Sequence, residues 1–454
     1  MAGTPGEPTP TTTSRLRSPW DRRIVDLAGP ALGALIAEPL FLLTDTAMVG
    51  HLGTVPLAGL GIASVVLQTA LGLLIFLAYA TTPTVARRLG AGDRPGAIRA
   101  GVDGLWFALL VGVVLAGVGV LVARPLVGLF GTDPAVVDAA STYLTVSMVG
   151  LPGMLLVIAA TGLLRGLQDT RTPLVVATVG FAANAGLNAV FLYVFGWGIA
   201  GSAVGTVVAQ WGMAAVYVVI AVRAARAVGA PLRPGLAGVG RTARSGAWLL
   251  VRNASLRVAM IATVWAAASS GVTGLATIQV ALTLFSTLAF ALDALAVAGQ
   301  ALVGHSLGRG DRDAVRAITR RLMLFGVGGG LLLGVLLAAV SPLLAPVFSG
   351  DDAVRDLLPR VVLAMAVGIP LAGFVFVLDG VLLGAGDARY LALAGVLNTV
   401  VYLAILIPLE ARVEPGAQGT VALWLAFGLG YVGIRAVTLG LRARTDRWMV
   451  VGAR

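Results

Sequence analysis

The sequence predicts an all-α integral membrane protein: twelve transmembrane helices in two parallel six-helix repeats, with both termini in the cytoplasm. Three observations predict it. The 454-residue chain is 58% hydrophobic and only 12% charged, too few charges to cover the surface of a soluble protein of this length. Apolar runs of about twenty residues recur along it, each long enough to cross a bilayer core of about 30 Å as a helix. The second half also repeats the first at a fixed distance.

The first nineteen residues, "MAGTPGEPTPTTTSRLRSP", are rich in Pro, Thr and Gly and read as a disordered tail. No apolar segment with a small-residue cleavage site follows, so no signal peptide is expected. The spans then fall at 24–50, 57–81, 100–123, 139–163, 172–196 and 199–222, and at 242–270, 275–303, 319–340, 357–384, 390–409 and 419–441. These divide the chain into an N-lobe (20–222), a linker (223–241), a C-lobe (242–441) and a basic tail (442–454).

All 32 basic residues are arginine, and their distribution sets the topology. With the N-terminus inside, the loops carrying Arg22, Arg23, Arg87, Arg88, Arg94 and Arg99, and later Arg309, Arg312, Arg316, Arg320 and Arg321, all face the cytoplasm. Arg124, Arg355, Arg360 and Arg412 fall outside, beside Asp133, Asp138, Asp351, Asp352, Asp356 and Glu414. That asymmetry follows the positive-inside rule. The formal charge of +11 is therefore a topology signal and implies no nucleic acid. A multi-pass protein of the plasma (inner) membrane is expected, as a monomer with the lipid bilayer as its surroundings.

"RRLGAGDRPGAIRAG" (87–101) and "HSLGRGDRDAVRAIT" (305–319) lie 218 residues apart. The same shift superposes Phe130 on Phe348, Asp133 on Asp351, Pro152 on Pro370, Gly162 on Gly380 and Asp169 on Asp387. Six spans return the chain to its starting side, so the two halves share one orientation. Parallel repeats about an axis along the membrane normal are a transporter architecture, with binding at the interface of the halves.

Against this apolar background, "AEPLFLLTDTAMVGHLG" (37–53) carries Glu38 and Asp45. An ionised side chain at the bilayer centre costs about 2.5–3.5 kcal/mol on insertion scales, so each such residue is a functional candidate. Seven residues are two helical turns, placing both carboxylates on one face. Pro30 and Pro39 remove hydrogen bonds from the same helix and make it bendable. Asn184 and Asn188 share a face of the fifth span, as Thr206 and Gln210 do of the sixth. With Asp45 they can hold a proton or coordinate a cation through oxygen; as an alternative, Asn and Thr simply join helices.

In the second half Asp293 and Asp379 are also intramembrane, and the shift places them on Ile75 and Thr161, which are not acids. Arg257 is a candidate counter-ion, or snorkels to the cytoplasmic surface. Gln68 joins these as a candidate cavity residue. His51 reads as interfacial and His305 earns no role.

"EPLFLLTDTAMVGHLG", "RGLQDTRTPL", "GWGIAGSAVGTVVAQ", "ALDALAVAGQALVG" and "LDGVLLGAGDARY" resemble the multidrug and toxic compound extrusion (MATE) family, and within it the DinF-like branch. The resemblance runs in order through both halves. It implies a V-shaped twelve-helix fold and export of cationic or amphiphilic compounds driven by inward H⁺ or Na⁺, with no other cofactor. It places the family's first-span acid on Asp45, its bending proline on Pro30, its fifth-span polar pair on Asn184 and Asn188, and its sixth-span threonine on Thr206. Relatives often carry Asp where Asn188 stands, and Glu38 is the candidate for the missing acid. The seventh-span Glu of another branch has no match; Arg252 and Arg257 occupy that span.

The alternative within transport is a lipid-linked oligosaccharide flippase or exporter of the same superfamily, while membrane-embedded enzymes and nucleotide-driven pumps fit poorly. A flippase for lipid-linked sugars needs several cationic residues for pyrophosphate, and the sequence offers Arg257 alone at depth among predominating acids. A membrane-embedded enzyme needs clustered His, Asp and Glu or a nucleophile with its base. The chain has two histidines and no cysteine. It lacks the GxxxxGK[ST] of a nucleotide-driven pump.

Overall fold

The computed structural model describes residues 18–131, 133–412 and 416–453. Most of the Pro/Thr-rich tail, Glu414 and the side chain of Glu38 lie outside the described residues. Among the described residues twelve helices are long and apolar enough to cross a membrane: α1 (Pro19–Gly50), α2 (Thr54–Gly90), α3 (Arg94–Gly128), α4 (Pro134–Gly166), α5 (Arg171–Val194), α6 (Gly198–Ala227), α7 (Leu236–Ala268), α8 (Gly271–Gly308), α9 (Arg312–Phe348), α10 (Asp352–Gly384), α11 (Ala388–Glu410) and α12 (Ala417–Ala443).

Local sequence explains where several helices start. Ser18 and Asp21 form a capping box on α1. Asp93 and Asp311 cap α3 and α9, and Asp133 and Asp351 cap α4 and α10. Each carboxylate accepts an otherwise unpaired backbone N–H and faces the positive end of a helix dipole. Both pairs are related by the 218-residue shift, so the duplication extends to the caps.

It extends to the packing as well. α4 and α10 are the most buried helix of each lobe. A Cβ on Gly162 of α4 would lie 2.9 Å from Ala78 Cα, and one on Gly380 of α10 would lie 2.5 Å from Ala296 Cα. The shift relates these two crossings residue for residue. Glycine is what lets the backbones approach so closely, the usual device of membrane helix pairs.

The lobes meet where α2 crosses α8. A Cβ on Gly90 would fall 1.9 Å from the His305 carbonyl oxygen, and one on Gly308 would fall 2.0 Å from that of Arg87. Gly90 and Gly308 are repeat equivalents, as are Arg87 and His305, so the pseudo-twofold axis passes between them. Arg87 also donates to the Ala385 carbonyl at 2.5 Å, and Arg321 grips Asp21 through two hydrogen bonds. All of these contacts lie at the arginine-rich helix ends, which close one end of the groove between the lobes.

Further contacts reach halfway along α2. That helix is interrupted once, at Ile75. Asn253 of α7 donates its side-chain N–H there to the Leu73 carbonyl at 3.4 Å. A side chain entering the i→i−4 ladder is a known cause of such a break.

Candidate functional site

Asp45 is 3% exposed and receives three donors from three different helices of the N-lobe. Asn188 Nδ2 on α5 donates to Oδ1 at 2.8 Å. Ser202 Oγ on α6 donates to the same oxygen at 2.5 Å, and Tyr143 OH on α4 donates to Oδ2 at 3.2 Å. Hydrogen bonds to a charged acceptor are the strong ones. One turn before Asn188, Asn184 donates to Thr206 Oγ1 at 3.1 Å. The expected set Asp45, Asn184, Asn188 and Thr206 is thus brought together.

Backbone features hold this network in place. Just past Asn188, α5 widens into a π-turn at Val190–Val194, a feature frequent at functional sites. From that turn Tyr193 donates to the Met48 carbonyl of α1 at 2.9 Å. A Cβ on Gly205 would lie 2.0 Å from Asn188 Oδ1, so glycine leaves room for the amide. The Oδ1 atoms of Asn184 and Asn188 are buried without a hydrogen-bond partner.

Beside the network lies a cavity of 80 Å³, lined by Gln68, Tyr143, Asn184, Thr206 and Gln210 and by Phe41 and Phe181. The two phenyl rings stack across it from α1 and α5, with centroids 5.1 Å apart. Tyr143 both lines the cavity and bonds Asp45. Glu38 sits on α1, with its side chain outside the described residues. α1 is one helix through Pro30 and Pro39; each proline leaves the carbonyl four residues earlier without its helical donor.

The C-lobe does not repeat the site. The shift carries Asp45, Asn184, Ser202 and Thr206 onto Thr263, Tyr402, Thr420 and Trp424. Thr263 and Tyr402 hydroxyls bond at 2.6 Å, and Tyr402, Trp424, Phe427 and Tyr431 pack ring on ring. Aromatic bulk fills the place that the N-lobe gives to polar groups.

Between the lobes the charges differ from the sequence expectation. Asp379, 6% exposed, is clasped by Arg252, which donates from Nε at 3.3 Å and from a terminal nitrogen. Arg435 approaches it at 3.4 Å. The partners of Asp379 are therefore Arg252 and Arg435, and Arg257 is not among them. Arg257 lies more than a helical turn further on, with its guanidinium against Gly72 and no ion pair among the described residues. Arg252 also lies 5.9 Å from the centre of the Tyr79 ring and donates to Asn253 Oδ1 at 2.7 Å.

Asp293 is half-buried on α8, in the field of Arg252, Arg165 and Arg435, and has no hydrogen bond or ion pair among the described residues. Arg165, 8% exposed, likewise has neither. Four arginines (165, 252, 257 and 435) thus accompany two acids here, so acids do not predominate.

Sequence reasoning missed four groups. Ser202 stands one turn before Thr206 on the same face of α6, a spacing that could have flagged it. Tyr143 had no signal, because one hydroxyl in an apolar helix reads as core. Arg252 and Arg435 meet Asp379 from spans of the same lobe that lie far apart in sequence.

The MatE family profile matches residues 30–194 and 249–408. Among curated relatives, Protein DETOXIFICATION 43 of Arabidopsis thaliana is 28% identical, covering 93% of this chain and 90% of its own. DNA damage-inducible protein F of Escherichia coli is 25% identical over 92% and 91%, and multidrug resistance protein MdtK of Edwardsiella ictaluri is 27% identical over 93% and 95%. Of solved structures, the bent form of the Vibrio cholerae MATE transporter VcmN superposes with a TM-score of 0.85 at 19% identity, covering 94% of this chain and 98% of that one. The repeat, the twelve spans and these matches agree: the chain belongs to the MatE family and is a multi-pass membrane transporter, not an enzyme.

Proposed function

We propose that this transporter exports amphiphilic small molecules from the cytoplasm in exchange for protons that enter through Asp45. The observation that carries the reading is the Asp45 carboxylate, held by Asn188, Ser202 and Tyr143 beside a cavity in one lobe only. All three neighbours present hydrogens to it. That arrangement suits a carboxylate exchanging a proton better than a sodium ion, which needs converging oxygen lone pairs.

The cycle follows from that chemistry. Ionised, Asp45 accepts from all three donors and ties α4, α5 and α6 to α1. Protonated, it carries its own O–H, so one donor must turn away and α1 is freed to rearrange about Pro30 and Pro39. Phe41 moves with α1, so the stacked rings that wall the cavity shift with the charge state. Proton and cargo need only favour opposite states of this helix; they need not touch. With the arginine-rich ends in the cytoplasm, the closed seam would face inward, which fits an outward-facing state.

Asp379 is engaged by two arginines, so the C-lobe acid available to cargo is Asp293, suited to the cationic end of an amphiphile. The transporter acts as a monomer in the plasma membrane. The arginines at 165, 252, 257 and 435 favour a second reading, movement of an anionic lipid-linked sugar.

One vesicle experiment tests both. Efflux of a fluorescent cation is followed with pH and Na⁺ gradients imposed separately. Dissipation of the pH gradient on adding the cation, without Na⁺, supports the proposal. Transport driven by Na⁺ alone rejects proton coupling, and transport of an anionic pyrophosphate lipid but not of the cation favours the second reading.

A further inference from the structure

Beside the closed seam lies a cavity of 370 Å³ for which the transport cycle gives no task. Arg88 of α2, Arg241 and Arg244 of α7 and Arg389 of α11 line it, with Trp248 among them. Its one acid, Asp103, is buried and already accepts the Gly235 backbone N–H at 2.8 Å. Arg241 and Arg244 have no ion pair or hydrogen bond among the described residues. Arg389 meets only the Trp248 ring, at 5.9 Å. Four like charges around one space, with a single committed acid, lack an anion.

A second observation comes from the repeat. In the N-lobe Asp169 caps α5, accepting the N–H groups of Arg171 and Thr172 at 3.0 Å each. Its C-lobe equivalent, Asp387, is drawn away by Arg442 at 2.7 Å, and α11 starts with no side-chain cap. Gly386 and Ala388 of that uncapped turn line the same cavity. The duplication thus kept the acid but left the positive end of α11 open toward the arginines.

We propose that this cavity binds the phosphate of an anionic lipid headgroup. Arginine pairs with phosphate bidentately, and basic pockets between helix ends on the arginine-rich face of a membrane protein hold anionic headgroups. Trp248 fits that depth, since tryptophan prefers the headgroup region. Arg88 belongs to the N-lobe, Arg389 to the C-lobe, and Arg241 and Arg244 to the helix that follows the linker. A phosphate held among them therefore favours the state in which this seam is shut. Asp45 takes no part, so the site stands or falls apart from proton coupling.

The test uses the full chain in detergent, titrated with short-chain phosphatidylglycerol, short-chain phosphatidylcholine and glycerol phosphate. Binding is read from Trp fluorescence and from the unfolding temperature. Phosphatidylglycerol should bind at least about tenfold more tightly than phosphatidylcholine. Replacing Arg241, Arg244 and Arg389 together by Gln should remove the preference, while Arg360→Gln with Arg412→Gln, at the opposite helix ends, should keep it. The single exposed change Arg389→Gln should weaken it about fivefold, which covers the event that the triple variant does not fold. Equal binding of the two lipids, or a preference that survives in both variants, overturns the proposal. Glycerol phosphate binding as tightly as phosphatidylglycerol overturns the lipid assignment in favour of a soluble phosphate compound.

Discussion

The side-chain amide of Asn188 meets the Asp45 carboxylate at 2.8 Å, where an acid would instead set two like charges in hydrogen-bonding range. In the proposed mechanism the neutral amide leaves the ion exchange to a single carboxylate. Asn188→Leu keeps the branching of the side chain, adds bulk and removes the donor. A hydrogen bond to a charged group contributes about 1.5–3 kcal/mol, so proton-driven efflux should fall about tenfold or more in vesicles. Unchanged efflux would show that the amide plays no part in coupling.

Asp45→Asn should abolish coupled efflux while the protein still inserts and folds, because the amide can still meet two of its three neighbours. Vesicle transport with circular dichroism separates the two effects. An Asn variant that still dissipates a pH gradient on adding cargo would remove Asp45 from the mechanism.

Gly205→Ala probes the same contact from the other side. Its Cβ would fall 2.0 Å from Asn188 Oδ1, forcing the amide off Asp45. A Cβ on Gly212 of the same helix would meet nothing within 4 Å, so Gly212→Ala is the matched control. Efflux should drop in the first variant and hold in the second.

How much of this was legible in the sequence depends on what kind of signal each residue leaves. Asp45 announced itself because any acid in hydrocarbon is conspicuous, and Asn184 and Asn188 because they fall on one helical face. The repeat was legible down to Asp93 with Asp311, since turns and caps demand particular residues. Tyr143 and the Arg252–Asp379 pair were not, because their roles come from tertiary contacts between spans far apart in sequence. Arg257 stood as a candidate counter-ion, beside snorkelling, for that reason: depth along a span can be counted, but azimuth toward another span cannot.

Arg252→Gln leaves Asp379, with its side chain 9% exposed, to Arg435 alone. Breaking a buried pair by removing one partner costs about 3–5 kcal/mol. Thermal unfolding in detergent should show a large drop, and adding Asp379→Asn should recover part of it. Additive losses would mean that the two residues do not act as a pair.

The seam can be followed by cross-linking, since the chain has no cysteine. A Cβ on Gly304 would lie 3.0 Å from Ala86 Cβ, closer than the roughly 3.5–4.5 Å of a disulfide, so a small outward shift of one helix brings the pair into bonding range. Ala86→Cys with Gly304→Cys should cross-link readily under oxidation and stop transport, and reduction should restore it. Free turnover in the cross-linked protein would mean that this end never opens.

The Asn253 amide that enters the α2 ladder at Leu73 ties the break in an N-lobe helix to the C-lobe. In the proposed cycle, a rocking α7 would pull on a main-chain carbonyl across the groove, so movement would pass between the halves through the scaffold itself. A cargo molecule would then have no need to bridge the two sides, and compounds of very different shape would ride the same stroke.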